Sequence, residues 1–542
     1  MEAYGRAFSF DAPEVSMNLT KTRPFLAFLC ATLYFAGFAA AEVKPSNLFS
    51  DHMVLQSGIV VPVWGTADPA EKVSVSLNGQ TKVAVADASG KWTVRLLKLK
   101  AGGPFEMTIA GSAGEAPIVV KDVLVGEVWL ASGQSNMQFT VSKVHASYAG
   151  MLDEAKEIAA ANYPQVRMFT VKPTTTYAPQ TEVPGVWQVC TPAVVGDWSA
   201  VGYLFARNLN MSLKLPVGIL LSAYGASTAE AWIPREALVS DPLLKPMVDK
   251  LDARYNYFKE HPGSTDAGVP PEPMMLNARL PRAGAPTAPL RDPSRNQHQP
   301  TVLYNAMINT IVPYAIRGAI WYQGESIGGG PQGLMMYGHV METLITQWRK
   351  LWGEGDFPFF EVQLPALKNV SNNPLVREQQ ARILSLPNTG MAVTVDIGDP
   401  ANVHPKNKEP VGYRLEVLAL AKVYGHKGME FSGPMYASNK VEGGAIRVKF
   451  THAGGLMAKG GPLNWFQIAG ADQKFVDADA KIAGDTVVVS SPQVNAPVAV
   501  RYAWDNYPDT ANLHNASGLP AGPFRTDDWD AMAAVSAQFS IK

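Results

Sequence analysis

Four apolar runs in the middle of the chain each end in a cluster of small and polar residues. VWLAS (128–132) leads into Gly133-Gln134-Ser135-Asn136, and PVGILLSA (216–223) into Tyr224-Gly225-Ala226-Ser227. IRGAIWY (316–322) leads into Gln323-Gly324-Glu325-Ser326, and MAVTVD (391–396) into a loop holding Asp399 and His404. Helical periods separate the runs, as in AVGYLFARNLNMSL (200–213) and YGHVMETLITQWRKLW (337–352). Strands alternating with helices give an α/β fold with a parallel sheet. Ligands of an open parallel sheet bind beyond the carboxyl ends of its strands. The four clusters are therefore expected to converge on one edge.

The flanks follow a different period. Residues 43–121 read as β structure: VSVSLNG (73–79) alternates apolar with polar residues and closes on Asn78-Gly79, a hairpin signal. From Gly433 onward GGAIRVKF, DTVVVSS and APVAVRYAW are again strand-like. The expected organisation is an N-terminal β domain over 42–121, an α/β domain over 122–432 and a C-terminal β domain over 433–542. Within the central block, 261–300 is rich in Pro and Gly. It reads as a surface excursion, either a wall over the site or a tolerated insertion.

The first 41 residues carry a targeting pattern. Lys21 and Arg23 precede PFLAFLCATLYFAGF (24–38), and Ala39-Ala40-Ala41 follow. A basic segment, a short apolar core and small residues make a secretory signal peptide, here with a leader extension before Met17. The core is shorter than the roughly 20 residues a bilayer span needs, so stable membrane insertion after cleavage is not expected. Of two cysteines, Cys30 leaves with the signal and only Cys190 stays, so no internal disulfide forms. An exported protein without disulfides points to a bacterial periplasm or exterior. A formal net charge of -1 without a basic run argues against nucleic-acid partners. Scattered histidines give no metal-ligand spacing, and no cofactor is implied.

The expected edge holds the parts of an acyl-transfer site. Ser135 is a hydroxyl at a strand-to-helix turn, and His404 is a candidate base to take its proton. Gly225 offers a backbone N–H and Gln323 a side-chain amide, the donor types that stabilise an oxyanion. Each residue also has a plain structural reading. Ser135 fits a helix cap, Gly225 a tight turn, and Gln323 with Glu325 a buried polar pair. Arg377 reads either as a group for a substrate carboxylate or oxygen, or as a surface helix charge. Trp232, Trp321 and Tyr322 suit a sugar wall or the core.

GQSNM, a QGE block and a late His-Pro together resemble the SGNH-type carbohydrate esterases, specifically the sialate O-acetylesterase family. The resemblance extends from SNLFSDHMVLQSGIVVPVWGTA (46–67) through LYNAMINTIVPYAIRGAIWYQGES (303–326) and VTVDIGDPANVHPKNK (393–408) to NASGLPAGPFRTDDW (515–529). It implies a three-layer α/β/α esterase domain with Ser135 as nucleophile and His404 as base. It implies oxyanion donors from Ser135, Gly225 and Gln323. Glu325 and Arg377 are the residues expected on the substrate side. The family usually shows two glycines where this chain has Gly225-Ala226. It commonly places an Asp three residues before the His, which here is Ala401. Asp399 is then the expected acid, with Asp396 as the other carboxylate; the alternative is a Ser–His dyad in which Asn402 or a carbonyl orients the ring. The implied reaction is release of acetate from an acetylated carbohydrate, with sialic acid or xylan as the sugar. A non-catalytic carbohydrate-binding protein, or a lipase or thioesterase of the same superfamily, stands as the alternative.

Overall fold

The computed structural model describes residues 42–144, 146–265, 289–368, 370 and 372–529. The expected signal peptide and most of the Pro-rich stretch lie outside the described residues. Nine strands position the site: β1 (Val54–Gln56), β2 (Gly102–Gly111), β3 (Ile118–Gly133), β4 (Tyr163–Thr170), β5 (Trp187–Cys190), β6 (Val217–Ala223), β7 (Gly318–Tyr322), β8 (Phe359–Val362) and β9 (Thr389–Ala392). Five helices matter: α1 (Ser135–Gln138), α2 (Ala200–Leu213), α3 (Gly330–Trp352), α4 (Asn373–Ala381) and α5 (Glu409–Lys422).

β3 is the spine. Its first half pairs antiparallel with β2 and parallel with β1. Its second half pairs parallel with β6 on one side and β7 on the other. The main sheet runs β5-β4-β6-β3-β7-β8-β9, parallel except for β5. The boundary expected between 121 and 122 falls inside this unbroken strand, and one apolar core spans residues on both sides of it. Asp122, at φ 53°, accepts from Arg167 at 2.8 Å and contacts His52 at 2.7 Å.

The chain leaves β3 for β4, β5 and β6, then crosses to β7, β8 and β9 on the other side. The carboxyl end of β3 is thus the topological switch point, where a crevice opens between diverging connections. Helices cover both sheet faces. Phe359 and Phe360 are neighbours on β8 and so point to opposite faces. Phe360 packs on Trp129, which meets Phe205 of α2. Phe359 packs on Trp348 of α3, which meets Trp321. Trp232, Trp321 and Tyr322 are fully buried and belong to this core, not to a sugar wall. Cys190 is buried too, and its thiol is pushed up to about 12, an unreactive group.

The β flanks form as their periods require. Asn78 and Gly79 take φ 46° and 78°, the left-handed pair of a tight hairpin between Lys72–Leu77 and Gln80–Val85. Beyond Gly433, two four-stranded sheets enclose their own apolar core, including Ile446, Phe466, Val487 and Val500. Among the described residues no helix is long and apolar enough to cross a membrane.

Near the middle of β3, Glu127 anchors the junction of the two pairing regions. It is 3% exposed and accepts from Arg317 at 2.5 and 3.2 Å, Ser57 at 2.8 Å and Tyr424 at 3.0 Å. Glu127→Ala strands those donors, Arg317 above all. We expect a loss of about 3–5 kcal/mol, read as a lower urea midpoint. A midpoint shift equivalent to under ~1 kcal/mol contradicts this role.

Candidate active site

Three strands end level at the switch point: Ala223 of β6 and Tyr322 of β7 both pair with Gly133 of β3. Gly133 sits at φ 130°, and a Cβ there would lie 2.2 Å from the Tyr322 carbonyl oxygen. Only glycine permits so close a crossing. Gln134 N–H then donates to that same carbonyl at 2.9 Å, and α1 begins at Ser135. The turn lifts Ser135 off the end of the central strand.

His404 arrives from the loop after β9. Asp399 Oδ1 accepts the N–H groups of Ala401 and Asn402 at 2.9 and 3.0 Å. Asn402 Oδ1 in turn accepts His404 N–H at 2.9 Å. These two side-chain-capped turns curl the loop back over β3. His404 Nε2 lies 2.7 Å from Ser135 Oγ, hydrogen-bond distance for proton transfer. The Tyr148 ring packs on the imidazole at 4.6 Å between centroids. Burial, helped by the nearby Lys408 charge, pulls the His404 pKa down to about 4. The ring is therefore neutral, and able to accept a proton, across the ordinary pH range.

The expected third member does not reach the histidine. Asp399 spends its carboxylate on the turn, and among the described residues no carboxylate is bonded to the ring. Asp396 is committed as well, held by Arg414 through two contacts of 2.7 Å. The remaining arrangement is a Ser–His pair.

Gly225 follows β6 and stands over the serine: a Cβ on it would lie 3.6 Å from Ser135 Cβ. Its N–H donates to Gln138 Oε1 at 2.9 Å, so it does present a donor on the Ser135 side. Ala226 holds φ 57°, a left-handed conformation that glycine adopts freely and alanine rarely.

Gln323 is a correction. It is fully buried, and its Nε2 donates to the carbonyls of Ser227 and Ser326 at 3.1 and 2.7 Å. Its Oε1 accepts from Tyr337 at 2.7 Å. A buried amide must fill its bonds, and this one does so by tying two loops together, leaving no donor for an oxyanion. Arg377 is neither a surface charge nor a substrate group. It is fully buried and donates to the carbonyls of Leu364, Pro365, Asp505 and Asn506 at 2.8–3.1 Å. Glu325 is near the pair but faces the protein, accepting from Asn136 Nδ2 at 2.5 Å.

The sequence reading passed over Lys408, Asn136, Tyr148 and Gln138. The one available signal was position: Asn136 adjoins Ser135, Gln138 ends its turn, and Lys408 stands four residues after His404, just before an apolar helix.

The chain is similar to known carbohydrate esterases. A family model described as carbohydrate esterase, sialic acid-specific acetylesterase, matches residues 293–414. A sialate O-acetylesterase from Mus musculus is 30% identical, over 88% of this chain and 93% of the relative. One from Homo sapiens is 28% identical, over 88% and 91%. A solved carbohydrate acetylesterase from Xanthomonas citri superposes with TM-score 0.75 at 35% identity, over 90% of this chain and all of that one.

Two substitutions test the reassignments. Asp399→Asn keeps the oxygen that caps the turn and should lower kcat less than about tenfold. A loss of about a thousandfold or more would make Asp399 part of the proton path after all. Arg377→Met leaves four carbonyls, two of them in buried bonds, without that donor. It should cost about 2–4 kcal/mol by urea unfolding while KM of the folded enzyme stays unchanged.

Proposed function

The chain belongs to the sialate O-acetylesterase family of carbohydrate esterases, and from that premise we propose that it hydrolyses O-acetyl sugars by serine catalysis through a Ser135–His404 dyad. The observation that carries this reading is the 2.7 Å contact between Ser135 Oγ and His404 Nε2 at the switch point of the parallel sheet. Helices on both faces of that sheet support an SGNH-type three-layer arrangement, with β regions before and after it.

In the proposed reaction His404 Nε2 takes the hydroxyl proton as Ser135 Oγ attacks the acetyl carbonyl carbon. The carbonyl oxygen becomes an oxyanion, held by the N–H groups of Ser135 and Gly225, once Gln138 yields the latter. Collapse breaks the bond to the sugar oxygen, which leaves with the proton from His404. Water then attacks the acetyl-serine, giving its proton to His404, and Ser135 recovers that proton as acetate departs.

The carboxylate that is the third member of a triad orients the ring and stabilises the imidazolium. Here orientation falls to Tyr148 and to the capped loop. The substrate class follows the named relatives: O-acetylated sialic acid first, with acetylated xylan as the competing sugar. The basic, apolar and small-residue pattern before Glu42 supports export to the periplasm or exterior.

Release of acetate from acetylated sialic acid, acetylated xylan oligosaccharides and pectin, by wild type and Ser135→Ala, tests the reading. We expect turnover of at least one sugar and a loss of about a thousandfold or more in the variant. Binding without turnover in the wild type points instead to a carbohydrate-binding protein. Preference for long acyl chains on p-nitrophenyl esters contradicts an acetyl pocket. The pH profile is a separate check. A neutral His404 is required, and its low pKa places the acid limb of kcat/KM near pH 4, well below the usual histidine value. An acid limb at about 6.5 or above contradicts the burial argument.

A further inference from the structure

A dyad without a carboxylate has to hold its histidine by other means, and the structure supplies one from beneath. Lys408 is 1% exposed, an extreme position for an ammonium. Its Nζ donates to Asn136 Oδ1 at 2.6 Å and lies 4.5 Å from the Phe139 ring centre and 5.4 Å from that of Tyr322. Asn136 Nδ2 donates onward to the Val403 carbonyl at 2.9 Å and to Glu325 Oε1 at 2.5 Å. Asn136 directly follows Ser135, and Val403 directly precedes His404. One amide thus joins the neighbour of the nucleophile to the neighbour of the base.

The direction of that amide is decided by Lys408. An ammonium can only donate, so the oxygen of Asn136 must face it. The NH2 end must then face Val403 and Glu325, both acceptors. A flipped amide would set oxygen against the Val403 carbonyl. We propose that Lys408 is a positioning residue for the hydrolysis: it locks Asn136, and through Asn136 the Val403 carbonyl, so that His404 Nε2 meets Ser135 Oγ. This rests on the reading of Ser135 and His404 as the reacting pair.

The charge has a second effect. Lys408 lowers the proton affinity of His404, while Glu325 favours the charged form of Lys408. The other titratable groups packed here are Tyr148, against the imidazole, and Tyr322, beneath the ammonium. Burial drives Lys408 itself down to about 7.

The test uses the full-length protein with p-nitrophenyl acetate, measuring kcat, KM and the acid limb of kcat/KM. Active molecules are counted from the acetyl-enzyme burst. Lys408→Met removes both donor and charge. We expect kcat per active site to fall about tenfold or more with KM changed less than about threefold, and the acid limb to move up. Lys408→Gln keeps an N–H for Asn136 without the charge. It should move the acid limb as the Met variant does while retaining more kcat. Adding Asn136→Ala to Lys408→Met should cost no more than Asn136→Ala alone, because both act through one bond.

Wild-type kcat and an unmoved acid limb in Lys408→Met overturn the proposal. So does a fall in active-site count alone, which marks a merely structural lysine. If the Met variant does not fold, Lys408→Gln decides: an unmoved acid limb overturns the proposal and a raised one supports it. A Ser135→Ala variant as fast as wild type defeats the dyad reading itself, whatever Lys408 does.

Discussion

The structure depends on one strand. Ile118–Gly133 is an edge-to-centre rod that belongs to two pairing regions at once. Because one strand is hydrogen-bonded in both regions, the amino-terminal β region is tied to the direction in which the central sheet runs. It also fixes where the rod ends, and Ser135 is two residues beyond that end. Glu127 lies where the pairing partners change, and its bonds to Ser57, Arg317 and Tyr424 come from three separate segments. The placement of Ser135 against His404 begins with that anchoring.

At the other end of the rod, polar side chains sort into two kinds. Gln323, Asn136 and Arg377 are buried, and each has its donors filled by carbonyls or other fixed acceptors. Ser135 and His404 are only partly covered and are bonded chiefly to each other. The first kind ties loops together, and the second stands at the switch point with its bonding partner facing it. Burial with full satisfaction is what separates scaffold from chemistry here, since residue type does not.

Much of this was legible in the chain. Continuous apolar runs ending in polar clusters gave the parallel sheet and the edge where Ser135, Gly225 and His404 meet. The helical period of 200–213 matches α2 to the residue. The failures share a cause. A side chain's identity gives its capacity to bond, but not the direction in which it points. Gln323 has the amide an oxyanion wants, yet faces inward. Arg377 finds two of its acceptors 128 and 129 residues away, a separation no local pattern announces. The change of pattern near residue 121 looked like a domain boundary because a period says nothing of whether one strand continues across it. Lys408 was passed over because lysines are rarely buried.

The grip of Arg377 bears on what counts as the enzyme. Two of its carbonyls come from Leu364 and Pro365, and two from Asp505 and Asn506. Asn506 also accepts the Asn373 N–H at the start of α4 and donates to the Val370 carbonyl. Arg525 pairs with Glu378 on the same helix. The terminal β region is therefore a structural wall of the hydrolase, not a passenger behind it. A chain cut before it would leave Arg377 and Glu378 facing an unfinished interior.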